Sequence, residues 1–167
     1  LIRLVLGLYK PSRGVIRVFG EPPRHNLRVL KRVGFCPESD AFYESMSGLD
    51  FVVWLNRYWG MDAREARRIA EEACERVKIT GRMNDSISTY SKGMRQRIKI
   101  AQSIALNPDL LILDEPMQGL DPEGREDMFS LIRMLGEEGR SVLMSSHILY
   151  EIERVTNNVL LLHHGCV

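Results

Sequence analysis

Two adjacent carboxylates, Asp114 and Glu115, follow the apolar run Leu110-Leu111-Ile112-Leu113 and precede Pro116. Like charges so placed repel, so a cation or a proton is expected beside them. Mg²⁺ suits the pair, because it takes oxygen ligands and is usually held by one or two carboxylates together with phosphates. The second acid is then left to orient or deprotonate a water. Alternatively the pair merely opens a solvated turn; four apolar residues before it and Gly119-Leu120-Asp121-Pro122 after it argue against that. A second candidate lies upstream, at Tyr90-Ser91-Lys92-Gly93-Met94-Arg95-Gln96-Arg97. A serine cap and a glycine in the first turn leave backbone N–H groups uncovered at the positive end of a helix, where anions bind. Lys92, Arg95 and Lys99 add positive charge there. Taken alone, this is also what any capped basic helix looks like.

The elements that must carry these residues follow from periodicity. Leu110–Leu113 shows no polar alternation and is bracketed by Pro108 and Pro116, so it reads as a strand covered on both faces. Asp114 and Glu115 then sit at the carboxyl edge of a parallel sheet, where such sheets place their ligands. Further strands are predicted over Val15–Phe19, Val33–Cys36, Ser141–Ser145 and Val159–Leu162. Helical spacing joins Leu1, Leu4, Val5 and Leu8, then Leu27 to Arg32, then Phe51, Val52, Leu55 and Tyr58. Asp62 and Glu65 make a capping box for an amphipathic helix with Ala66, Ile69, Ala70, Ala73 and Val77 inward. Its other face carries Arg64, Arg67, Arg68, Glu71 and Glu75, a solvated face with intrahelical pairs. Ser91 caps a helix that turns Ile98, Ala101, Ile104 and Ala105 inward. Asp121 caps another, begun by Pro122, with Met128, Ile132 and Leu135 inward. Alternating strands and helices mean a parallel sheet with right-handed crossovers.

Composition bounds the rest. The 167 residues are 44% apolar and 27% charged, which is a globular chain of one domain. Lys and Arg number 23 against 22 Asp and Glu, so nothing suggests bulk binding to nucleic acid or lipid. Cys36, Cys74 and Cys166 are far apart and odd in number, which fits a reducing compartment. No apolar run reaches membrane-spanning length and no signal peptide is visible, so the default location is the cytosol. Both ends look cut: Leu1 opens directly into a helical pattern, and Gly165-Cys166-Val167 stops where a turn would launch another strand. The sequence reads as part of a domain.

Ser91-Lys92-Gly93-Met94 followed by Arg95-Gln96-Arg97 resembles the signature motif of ATP-binding cassette (ABC) ATPases. Leu110 to Pro116 resembles their Walker B strand, Gly119-Leu120-Asp121 their D-loop, and Ser145-Ser146-His147 their switch histidine. The four motifs fall in the family's order and spacing over essentially the whole chain. The resemblance implies an α/β fold, a parallel-sheet P-loop NTPase core with an α-helical subdomain inserted, here at about 38–90. It implies ATP and Mg²⁺ as cofactors and ATP hydrolysis as the activity. Asp114 would hold Mg²⁺, Glu115 would polarise the attacking water, and His147 would touch the γ-phosphate. Ser91 and Gly93, with Lys92 between them, would reach ATP held by a second ABC ATPase subunit in a head-to-tail dimer. Asp121 would lie at that seam, although capping the next helix is an equally good local reason for it. Cys36-Pro37-Glu38 and the Tyr-Ser-Lys-Gly-Met signature look most like cassettes of exporters. The implied partner is a transmembrane permease on the cytoplasmic face of the membrane, with no nucleic acid. Phe42, Tyr43, Phe51 and Trp54 are available to grip it, although Phe51 is better read as packing inside the insert.

Two departures stand out. Glu38 occupies the Q-loop position, where the family usually has Gln; a carboxylate can still ligate Mg²⁺ but adds negative charge beside the phosphates. No G-x-x-x-x-G-K-[ST] occurs, and that loop supplies the backbone cradle and the lysine for the β- and γ-phosphates. Leu1-Ile2-Arg3-Leu4 resembles the helix that follows it, so the Walker A loop and the family's N-terminal β-subdomain are expected upstream, and this polypeptide is expected to bind ATP poorly. Two other functions compete: a soluble ABC ATPase acting on ribosomes or nucleic acid, and a degenerate cassette kept as an interaction module. The first usually carries two cassettes or long inserted arms; the second is at odds with the retention of Asp114, Glu115 and His147. His163-His164 reads as a wet turn rather than a metal site, since no third ligand is evident.

Overall fold

Three parallel strands, β1 (Val33–Cys36), β2 (Leu110–Asp114) and β3 (Ser141–Ser145), lie side by side in that order in the computed structural model, which describes residues 1–163. Val33 pairs with Leu110 and Leu110 with Ser141, and the register runs on until Asp114 stands beside Ser145. Leu111, Ile112 and Leu113 are fully buried, as the unbroken apolar run requires of a strand covered on both faces. Helix α5 (Lys92–Ile104) packs on β1 and β2, and α6 (Pro122–Glu137) packs on β3. Gly34 is what lets α5 lie so close. A Cβ there would come within 2.0 Å of the Ser103 carbonyl oxygen.

Each helix start follows from a side chain in the sequence. Ser91 Oγ accepts from Met94 N at 3.3 Å, and Asp121 Oδ1 accepts from Gly124 N at 2.8 Å. Between β1 and α5 lie α3 (Gly48–Tyr58) and α4 (Ala63–Arg76), whose inner faces join the same apolar core as α5 and the sheet. Asp62 caps α4 by accepting from the Arg64 and Glu65 amides. Glu65 does not complete the box; its carboxylate pairs with Arg68. The outer face of α4 holds the expected intrahelical pairs, Arg67 with Glu71 and Arg68 with Glu65 and Glu72. The remaining helices are short: α1 (Ile2–Val5), α2 (Leu27–Leu30), α7 (Leu149–Glu153) and a 3-10 turn at Ile87–Thr89.

Two expected strands do not form. Val15–Phe19 is reduced to one bridge, Val18 with Glu21, and Val15 is 76% exposed. Phe19 and Gly20 both have positive φ, so the chain reverses there in a two-residue turn before any arm extends. Val159–Leu162 is likewise not a strand, and Leu161 is 75% exposed. An apolar run of four satisfies a strand pattern, but a strand exists only where a neighbour takes up its backbone groups. Cys36 and Cys74 are buried free thiols, while Cys166 and His164 lie outside the described residues.

Candidate functional site

Asp114 and Glu115 emerge at the carboxyl end of β2, beside the end of β3, and that juxtaposition builds the site. Ser145 Oγ donates to Asp114 Oδ1 at 2.5 Å and accepts from Glu115 N at 3.1 Å. Its hydroxyl therefore locks the two strand ends together. Glu115 has φ of +50°, a left-handed setting that costs a non-glycine residue free energy and is found disproportionately at functional positions. The turn directs its carboxylate toward the chain leaving β3. His147 Nδ1 lies 3.0 Å from Glu115 Oε2. That hydrogen bond, followed by the charges of Glu115, Glu151 and Glu38, raises the His147 pKa above the ordinary histidine value. Three residues 33 positions apart at their extremes, Asp114, Glu115 and His147, thus share one edge of the sheet.

Glu38 follows β1 and stands close enough to His147 for its charge to be felt there. Its backbone is held by α5: Lys99 Nζ donates to the Glu38 carbonyl at 2.7 Å and pairs with Asp40 at 3.2 Å. Gln102 donates to Phe35 O at 2.6 Å, and Arg95 forks onto Glu44 at 2.9 and 3.1 Å. Positions 95, 99 and 102 are one face of a helix, and that face holds β1 at Phe35 and the segment leaving it at Glu38 and Glu44. By sequence, Lys99 adds positive charge at the anion site of the capped helix. The structure instead buries its ammonium, at 4% exposure, among protein oxygens.

Ser91, Lys92 and Gly93 are not gathered with Asp114 and His147. They lie against the Gly119-Leu120 turn: a Cβ on Gly93 would meet the Gly119 carbonyl oxygen and the Leu120 side chain at 3.6 Å. The stem of Lys92 covers Gly119, where a Cβ would come within 2.5 Å of it and where φ is +77°. Asp121 caps α6 beside this turn. The described residues therefore present two separate arrangements, a carboxylate–imidazole edge and a capped helix start.

Mg²⁺ fits the first arrangement by its donors. Among the described residues no group of three or more His, Cys, Asp or Glu side chains converges as a metal site. A cation here would thus draw on one or two carboxylates and take its other oxygens from a ligand and water, which is the habit of Mg²⁺. The described hydrogen bonds engage only Oδ1 of Asp114.

Residues 1–118 match the sequence profile of the family described as ABC transporter. The chain belongs to that family. It is 37% identical over 167 residues to a Bacillus subtilis protein named as an uncharacterized ABC transporter ATP-binding protein, covering 99% of this chain and 53% of that one. It is 31% identical over 165 residues to the Nod factor export ATP-binding protein I of Paraburkholderia xenovorans, covering 98% of this chain and 54% of that protein. With the bacitracin transport ATP-binding protein BcrA of Bacillus licheniformis it shares 36% identity over 166 residues, 98% of this chain and 53% of that one. The chain thus spans about half the length of these relatives. A solved structure titled as the ATP binding subunit of an ABC transporter superposes with a TM-score of 0.85 at 27% identity, covering 98% of this chain and 69% of that one. The parallel sheet of this ABC chain is accordingly the P-loop NTPase core that the motifs implied.

Sequence reasoning missed two residues of this edge. The sequence presents Ser145 only as part of a motif, although a serine at the last position of a strand beside an acid-ended strand is the available signal. Helix α7 and its Glu151 were not expected at all. Leu149, Ile152 and Val155 at helical spacing could have shown it.

Proposed function

We propose that these residues form the hydrolytic edge of an ATP-binding subunit that hydrolyses ATP to power an ABC exporter. The observation that carries this is the Glu115–His147 contact of 3.0 Å beside Asp114 at the end of adjacent strands. Glu115 accepts a proton from, or orients, the attacking water, and His147 donates toward the terminal phosphate, fixing both against one reacting group. Asp114, with Glu38 as a second candidate, would hold Mg²⁺, which supplies charge neutralisation at the β- and γ-phosphate oxygens. Ser91, Lys92 and Gly93 stand apart from this edge, which favours their use on ATP held by a second subunit, with Asp121 at the seam.

Export is favoured by the relative named for Nod factor export, and transport more generally by the relative named for bacitracin transport. No described helix is long and apolar enough to cross a membrane, and on this reading the partner is a transmembrane permease. Tyr43, Trp54 and Tyr58 form an exposed aromatic run, with ring centroids 5.3 and 6.2 Å apart, that suits gripping such a partner on the cytoplasmic face. Phe51 is buried against Phe42 and takes no part.

The test is phosphate release. The 167-residue chain alone, without a phosphate-binding loop, is expected to bind ATP weakly and show no sustained turnover. The gene is expected to encode a glycine-rich loop ending in Lys-Ser or Lys-Thr in frame before Leu1, and the polypeptide that includes it is expected to hydrolyse ATP. No turnover by the longer polypeptide overturns the proposal; sustained turnover by the short chain overturns the expectation that the phosphate-binding loop is needed.

A further inference from the structure

The hydrolytic edge leaves one buried carboxylate without a task. Glu151, on α7, is 3% exposed, and a buried carboxylate is expensive unless paired and hydrogen-bonded. Its Oε2 accepts from the Ser146 hydroxyl at 2.6 Å, and its Oε1 lies 3.8 Å from the Arg125 guanidinium. With its single proton committed to Glu151, Ser146 Oγ acts as an acceptor on its other side and takes the Ile148 amide at 3.1 Å. Residues 146 and 148 flank His147, so both ends of the loop carrying the imidazole hang on this one hydroxyl. On the far side, Arg125 Nε donates to the Leu120 carbonyl at 3.3 Å. An unbroken path runs from the Gly119-Leu120-Asp121 turn through Arg125, Glu151 and Ser146 to the backbone on either side of His147.

We propose that Glu151 is a positioning residue for His147: it sets the loop that holds the imidazole against Glu115 and ties that setting to the Gly119-Leu120-Asp121 turn. This deepens the hydrolytic reading and rests on it. The imidazole is 74% exposed and its one described hydrogen bond is to Glu115. Packing therefore does little to aim it, and its backbone must. Arg125 is the weaker link, at salt-bridge rather than hydrogen-bond distance and 43% exposed. Ser146 is the stronger one.

Two variants and two readouts test this. Ser146→Ala removes the hydroxyl without touching a charge, and Glu151→Gln keeps an acceptor for Ser146 while losing the charge that faces Arg125. In the 167-residue chain, the ring resonances of His147 are expected to move toward free-histidine positions in Ser146→Ala, and by less in Glu151→Gln, while amide shifts of β2 and α5 stay in place. Unmoved His147 resonances in a folded Ser146→Ala chain overturn the proposal. In a turnover-competent polypeptide carrying these residues behind a phosphate-binding loop, both variants are expected to lower kcat by roughly tenfold to a hundredfold with KM for ATP kept. The deciding arm is the double variant. In a His147→Ala background neither change is expected to lower kcat further, because a residue acting through His147 has nothing left to act on. Independent, multiplying losses mean Glu151 only supports the fold, and the proposal fails. Absence of turnover in the wild-type polypeptide would instead sink the hydrolytic reading, with the resonance test on the short chain still deciding this one.

Discussion

Glu115 is asked to do two things that pull against each other. On the proposed reading its carboxylate faces both His147 and a reacting water, and its backbone adopts φ of +50°. A side chain in that region costs about 1–2 kcal/mol relative to glycine, so Glu115→Gly is expected to raise the thermal midpoint of the chain while removing the proposed base. Glu115→Gln preserves shape and a hydrogen-bond acceptor but cannot take a proton; in a turnover-competent polypeptide it is expected to cut kcat by about 10²–10⁴-fold with ATP still bound, as read by phosphate release beside nucleotide titration. The His147 proton reports the same contact. The hydrogen bond to Glu115 raises the histidine's folded pKa, so the folded state favours imidazolium. The stabilisation from this pair is complete below the unfolded value of about 6.5 and is lost as pH rises through the raised folded value. An NMR titration is expected to place His147 above the free-histidine midpoint, and Glu115→Gln to bring it down. A midpoint that ignores this substitution would mean the contact is not formed in solution.

Helix α5 is the element on which the site's geometry depends, because it touches every strand exit except that of β3. Its face holds β1 and the segment after it, and Gln96 Nε2 donates to Pro116 O at 2.9 Å just past β2. Lys99→Met keeps the aliphatic stem and deletes the charged donor. It leaves the Glu38 carbonyl without its partner and is expected to destabilise the chain by about 2 kcal/mol, measured by urea unfolding, whereas Lys99→Arg is expected to recover part of that. Much of this element was legible: the Ser91 cap and the inward spacing of Ile98, Ala101 and Ile104 are both local signals. β2 and α6 were legible for the same reason. What was not legible depends on partners distant in sequence. Lys99 reads as a surface cation until the loop from β1 folds over it, and Ser145 reads as a strand end until register places it beside Asp114. Val15–Phe19 and Val159–Leu162 carry strand patterns but find no strand to pair with among the described residues. Burial moves Cys36 too, since its thiol is pushed up to about 12 chiefly by loss of solvent, which no sequence window announces.

The molecule as a whole is unevenly finished. One side, where α3, α4 and α5 meet the sheet, is a continuous buried core. On the other, β3 is only half buried and no described strand pairs with its outer edge. Beside that edge runs an open groove of about 1380 Å³, lined by Ile2, Leu143, Ile152, Val155, Leu160 and Leu162 among others, with Asp114 and His147 at its border. A parallel strand is normally covered on both faces, and an exposed apolar edge with free backbone groups invites a further strand. Two consequences follow for the 167-residue chain. Amide exchange is expected to be fast across β3 and α7 and slow across β2 and α5, because the first group opens without disturbing the core and the second does not. Self-association is expected to rise with concentration in sedimentation experiments. Leu143→Lys is the test of cause: Leu143 lines the groove yet is not among the residues packed on the main core, so a charge there is expected to suppress association while leaving the melting midpoint near the wild-type value. Association that persists in this variant would place the sticky surface elsewhere, and the exposed aromatic run of Tyr43, Trp54 and Tyr58 would be the surface to alter next.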